Sequence, residues 1–214
     1  MREIDLSSWP RRTQFDFFRT YEFPQFNLTA NVDITAFKPA LKAHGVSFTV
    51  GTMYLIARIA NRIPEFRTRI KGERAVEFEV VHPAATILVD ENRFTFFTAH
   101  YQEDLSAFAE NAAEKIEFAK KHPTLIDEGD PDELLFLTSL PWVSFTSMMH
   151  PLRLNPADSV PRFAWGKFFP QGDRLMMPLG VQVHHALMDG YHVGKFFETF
   201  QEQLDQPEEF LQAS

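Results

Sequence analysis

Val181-Gln182-Val183-His184-His185-Ala186-Leu187-Met188-Asp189-Gly190-Tyr191-His192 is the stretch from which the fold is read. It closes an apolar run, Leu175 to Val183, that is too short for a membrane span and reads as a buried strand. Asp189-Gly190 marks a turn. Beyond it Val193, Phe196, Phe197 and Phe200 recur at helical spacing, so Val193 to Leu204 reads as an amphipathic helix. Two adjacent histidines therefore sit at the exit of a core strand, with a carboxylate four residues past the second.

Imidazole takes and gives protons near neutrality, its unperturbed pKa being about 6.5. Strand neighbours point to opposite faces, so His184 and His185 cannot do the same job. One faces a cleft and the other a structural partner, and Asp189 either steers an imidazole or organises the turn. Taken alone, the motif has three readings. It is a proton-transfer site, or a hydrogen-bonded packing pair with an ordinary turn, or a metal set of His184, His185, Asp189 and His192.

Working outward, Phe26 to Ile34 alternates apolar and polar side chains over most of its length, the pattern of a half-buried strand. Thr35-Ala36-Phe37 leads into a helix through His44, stopped by Gly45. Residues 49–62 are apolar almost all round, a largely buried helix ended by Pro64. Short strands are predicted at Val76–Val81, Ala85–Val89 and Arg93–Thr98, with Asp90-Glu91-Asn92 turning between the last two. Leu105, Phe108, Ala109, Ala112, Ile116 and Ala119 define an amphipathic helix over 103–121, and His122 to Glu133 reads as a surface loop. At the start, Pro10 suits a first helical turn capped by Ser7 or Ser8, with Phe15 and Phe18 on its apolar side and Phe17 a further candidate there. His82, before Pro83, reads as structural.

The 214 residues are 44% apolar and include 23 Phe, enough for a substantial core. A net charge of −8 argues against a nucleic-acid or anionic-membrane partner, while leaving room for a local basic patch toward a phosphate-bearing ligand. Without cysteine there is no disulfide, thiolate nucleophile or Cys-ligated zinc. Met1-Arg2-Glu3-Ile4-Asp5 lacks an apolar signal core, so a cytoplasmic protein is expected. No repeat, low-complexity tract or linker interrupts the chain, and one α/β domain over 1–214 is expected.

Further blocks surround the histidine motif. They are Gly166-Lys167-Phe168-Phe169-Pro170-Gln171-Gly172-Asp173, Pro141-Trp142-Val143-Ser144-Phe145-Thr146-Ser147, Ile63-Pro64-Glu65-Phe66-Arg67, and an opening with Trp9, Arg11, Arg12 and Phe15. Together with the motif they resemble the chloramphenicol acetyltransferase family. That resemblance implies a single-domain, mixed-sheet two-layer α/β sandwich of the type shared with dihydrolipoamide acyltransferases. It implies a sheet extended across a homotrimer with active sites at subunit interfaces. It also implies direct acetyl transfer from acetyl-coenzyme A to a hydroxyl of chloramphenicol, with no tightly bound cofactor and no metal.

By position, His185 matches the family's general base, Asp189 its motif carboxylate and Ser147 its oxyanion donor. Arg11 matches the partner of that carboxylate, which an arginine fork suits in bidentate fashion. Phe17, Phe18 and Phe26 match acceptor-pocket walls, and Lys167 and Phe168 a coenzyme A contact. His184 and His192 are expected as supports.

Departures are also visible. Ser47 and Thr49 stand where some members carry a lysine and an aromatic that help hold coenzyme A. Ala164 replaces a threonine that binds an ordered water, and Pro24-Gln25 replaces a small residue or cysteine. Three other readings stay open. One is the same chemistry on another alcohol or an amine. Another is the acyltransferase core of a 2-oxo acid dehydrogenase complex, for which the lipoyl domain, binding domain and linker are lacking. The last is a non-catalytic trimeric binding protein.

Overall fold

The computed structural model describes residues 1–126, 129–154 and 158–211. Its strands in chain order are β1 (Arg2–Glu3), β2 (Gln25–Asp33), β3 (Thr68–Lys71), β4 (Arg74–Glu77), β5 (His82–Asp90), β6 (Arg93–Thr98), β7 (Leu134–Leu140), β8 (Arg162–Gly166), β9 (Phe169–Gln171) and β10 (Arg174–His184). The helices are α1 (Arg12–Phe18), α2 (Phe37–Ala43), α3 (Phe48–Arg62), α4 (Leu105–Lys121), α5 (Gly190–Asp205) and α6 (Glu208–Leu211). The main sheet runs β2-β10-β8-β7-β5-β6, with β9 added to β10. It is mixed: β7 is parallel to β5 and β8, and the other pairs are antiparallel. β1, β4 and β3 form a small antiparallel sheet.

Alternation along β10 explains the layering. Met177, Leu179, Val181 and Val183 are buried in the main core, opposite Val32, Ala30, Leu28 and Phe26 of β2. Over this face lie α3 against β5 and β7, α4 against β5 and β6, and α5 against β2. α3 packs on α2, α4 and α5 and is buried on nearly every side, as its sequence requires. The opposite face is polar near the strand end, where Gly180, Gln182 and His184 face Thr29, Asn27 and Gln25. No helix among the described residues is long and apolar enough to cross a membrane.

Several sequence expectations are corrected. α1 starts at Arg12 without a side-chain cap, because Asp5 already holds the Ser7 and Ser8 hydroxyls in a preceding turn. The strand expected at Val76–Val81 ends at Glu77, and its hairpin partner β3 was not anticipated. Gly72, at φ 63°, opens the two-residue turn between them, and Gly172, also at 63°, does the same between β9 and β10. β5 starts at His82, three residues early. Asp189-Gly190 is the start of α5 rather than a free turn. Part of the loop expected at His122 to Glu133, residues 127 and 128, lies outside the described residues.

Candidate active site

The chain turns sharply after β10, where the His184 carbonyl accepts from Leu187 N (3.0 Å) and Met188 N (3.3 Å). His185 N donates to the Pro24 carbonyl at 2.8 Å, which ties the turn to the residue before β2. The two histidines diverge. His184 is 2% exposed and its Nδ1 accepts from Ala186 N at 3.2 Å. Burial pushes its pKa down to about 4, Asp158 opposing and His185 assisting, so it is a neutral, structural group at pH 7.

His185 is half-buried, and its Nδ1 lies 3.1 Å from the Met188 carbonyl. A carbonyl only accepts, so Nδ1 carries the hydrogen and the neutral ring keeps a lone pair on Nε2. Phe18 stacks on the imidazole, with centroids 3.9 Å apart and planes 10° from parallel, and Phe26 leans on it at 4.8 Å. Backbone, carbonyl and aromatic face together fix the ring.

Asp189 is the N-cap of α5, its Oδ1 accepting from Tyr191 N at 3.0 Å. His192 completes a capping box: its Nδ1 lies 3.2 Å from Asp189 N and its Nε2 3.4 Å from Glu65 Oε1. Arg11 Nη1 donates to Asp189 Oδ2 at 2.8 Å. Burial alone would raise the Asp189 pKa, but the Arg11 hydrogen bond and the charges of His192 and Arg11 hold it down at about 2. The expected fork is not formed: Arg11 makes one contact, and its Nε and Nη2 are buried without a partner.

Ser147 lies past the end of β7, exposed, in the irregular segment that follows. Among the described residues its hydroxyl makes no hydrogen bond within the chain, to His185 or otherwise. The segment is pinned beside β9, since Lys167 N donates to the Val143 carbonyl (2.9 Å) and Ser144 Oγ to the Lys167 carbonyl (2.6 Å). The Lys167 side chain is exposed. Phe168, 37% exposed, packs edge-on to Phe48 at 5.9 Å, at the opposite end of β10 from His185. Phe17 is 56% exposed; it meets Phe18 at 5.1 Å and Tyr21 at 5.2 Å and has no ring contact with His185.

The family model described as Chloramphenicol acetyltransferase matches residues 1–201. A chloramphenicol acetyltransferase 2 of Escherichia coli is 37% identical over 206 residues, covering 94% of this chain and 96% of the relative.

The chain belongs to the chloramphenicol acetyltransferase family.

It is accordingly an acyltransferase. A solved chloramphenicol acetyltransferase superposes with a TM-score of 0.83 at 29% identity, covering 94% of this chain and 98% of that one. The fold is shared with a dihydrolipoamide acetyltransferase of Azotobacter vinelandii, at TM-score 0.67 and 20% identity over 94% and 88% of the two chains.

Against this family frame, three features of the site escape sequence reasoning. The Met188 carbonyl and the Pro24 carbonyl are backbone groups, which no motif displays. Tyr21 joins the Phe17–Phe18 cluster and carries no local signal. Ser47 does have a signal: it precedes the apolar run, and its Oγ accepts from Val50 N at 3.2 Å as the N-cap of α3. Ala164 is 1% exposed in β8, between Gly180 and Thr138. The four residues of the metal reading have other duties, and no three His, Cys, Asp or Glu side chains among the described residues are grouped to hold an ion.

Proposed function

We propose that the chain transfers an acetyl group from acetyl-coenzyme A to a hydroxyl of chloramphenicol, both bound in a ternary complex. The observation that carries this reading is the His185 ring, whose Nδ1 is committed to the Met188 carbonyl, which leaves the lone pair on Nε2. Nε2 removes the acceptor's hydroxyl proton as the oxygen attacks the thioester carbonyl. A positioned base of this kind contributes about 10²–10⁴-fold. The tetrahedral intermediate collapses, and the imidazolium returns its proton to the departing thiolate, so atoms and charges balance. Asp189 and Arg11 hold the turn that presents the ring, and Phe18 and Phe26 fix its plane.

Ser147 is assigned to the oxyanion. Its exposed hydroxyl, without a partner among the described residues, fits a site shared between copies, and a homotrimer with interface sites follows from the family frame. One domain over 1–214, no tightly bound cofactor and a cytoplasmic location complete the reading.

The test is thiol release from acetyl-coenzyme A with and without chloramphenicol, the product being identified by mass. Acceptor-dependent release supports the reading. Release only with other alcohols or amines, which Ala164 and Pro24 would accommodate, moves the substrate and keeps the chemistry. No release with any acceptor overturns the proposal.

A further inference from the structure

We infer that His192 and Glu65 are positioning residues for the base, acting on His185 through the peptide bond between Met188 and Asp189. This rests on the role of His185 proposed above and deepens it by assigning what holds the carbonyl that the ring uses. The Met188 carbonyl, 3.1 Å from His185 Nδ1, and the Asp189 N–H belong to one planar amide. Asp189 N donates to His192 Nδ1 at 3.2 Å and has no other acceptor among the described residues. Two imidazoles therefore grip one amide, one at each end. Bonds in such a chain polarise one another, so a bonded Asp189 N–H makes the Met188 carbonyl a better acceptor for His185.

The grip needs a lone pair on His192 Nδ1, and hence the hydrogen on Nε2. Nε2 lies 3.4 Å from Glu65 Oε1, and a carboxylate only accepts. Asp189 Oδ1, 2.9 Å from the same Nδ1, favours the opposite tautomer. That carboxylate already accepts from Tyr191 N and is paired with the Arg11 guanidinium. Among the described residues Glu65 has no ion-pair partner besides His192. Its charge is uncompensated, so Glu65 decides which nitrogen of His192 carries the hydrogen.

Packing puts Glu65 there. Pro64 ends α3 and opens a single 3-10 turn, Pro64–Arg67. Phe66 within it is fully buried, its ring 5.8 Å from Phe163 and 5.2 Å from Phe196. Phe196 lies four residues beyond His192 in α5, so the two share one helix face. With Phe66 seated on Phe196, the preceding Glu65 meets His192.

The residue type fits the duty. His192 occupies the helix position where a capping box ordinarily carries Glu or Gln. Either of those would accept the Asp189 N–H. An imidazole does so while presenting a second nitrogen to Glu65, which ties the end of α3 to the turn that carries the base.

The test joins kcat for chloramphenicol-dependent thiol release to the nitrogen-15 spectrum of His185 at about pH 8, where imidazole is neutral. That spectrum shows which ring nitrogen carries the hydrogen. His192→Ala should lower kcat about tenfold, the size of one hydrogen bond, and let the His185 hydrogen pass in part from Nδ1 to Nε2. His192→Gln keeps an acceptor for Asp189 N and should recover most of both losses. Glu65→Ala should act like His192→Ala in the unmodified chain and change nothing beside His192→Gln, where no ring is left to orient. Melting temperatures separate lost positioning from lost folding, and if His192→Ala does not fold, Glu65→Ala in the two backgrounds decides. An unchanged kcat or an unchanged His185 spectrum in folded His192→Ala overturns the inference. An equal effect of Glu65→Ala in both backgrounds overturns it too. If the chain shows no turnover with any acceptor, the functional reading fails, and the spectra alone decide whether His192 and Glu65 set the His185 tautomer.

Discussion

Asp189→Asn isolates the charge of the motif carboxylate. Asparagine caps a helix as well as aspartate does, so the bond from Tyr191 N survives while the ion pair with Arg11 is lost. The carboxylate's pKa is about 2 against an ordinary 3.8. At 1.36 kcal/mol per tenfold, that gap corresponds to about 2.4 kcal/mol. The side chain is 36% exposed, and solvent screening reduces the figure to roughly 1 kcal/mol. In a chain of this length the melting temperature should fall by about 2–4 °C. The sign of the pH dependence follows from the lowered folded pKa. The stabilisation is full above about pH 4 and is lost as pH falls toward 2, with about half remaining near pH 3. Urea unfolding of both proteins at pH 7, 5 and 3, at one protein concentration, measures it. Equal stability at pH 7, or a difference that does not shrink between pH 5 and pH 3, would refute the ion-pair account.

Ser147→Ala should lower kcat by about 10²–10³-fold with an unchanged melting temperature, since the side chain is exposed. Steady-state kinetics decides this, and a loss under about tenfold removes Ser147 from the oxyanion role. Acid should destabilise the chain through His184 and His150, both held near 4 mainly by burial. Their folded pKa lies below the unfolded 6.5, so the unfolded state takes up protons first and stability falls between about pH 6.5 and 4, by about 2 kcal/mol per residue at pH 5. Substituting glutamine at 184 should flatten that decline in urea midpoints, and an unaltered slope would contradict it.

The region around the histidines was legible because its signals are strong and local. The run to Val183 is apolar and reads as a buried strand, the residues after Gly190 keep helical spacing, and the residues from 49 to 62 are apolar almost all round. Where a signal was missing, a buried charge or a competing bond hid it. Arg69 reads as a surface residue, yet it is fully buried in β3, donating to the carbonyls of Phe66, Thr68 and Leu134, so the strand shows no periodicity. The Ser7 and Ser8 hydroxyls read as caps but are bound to Asp5. Within the site, side-chain identities could be proposed from the motif blocks. The carbonyl that fixes the His185 tautomer, the single-contact geometry of Arg11, and the meeting of Glu65 with His192 arise only from the folded chain.

The central claim is that His185 Nε2 is the base. The most direct measurement is the kcat for chloramphenicol-dependent thiol release by His185→Ala, with its melting temperature recorded beside it. A loss of about 10³-fold or more in a variant that stays folded is the expected result. Turnover within about tenfold of the unmodified chain would contradict the assignment, whatever the fate of the other residues.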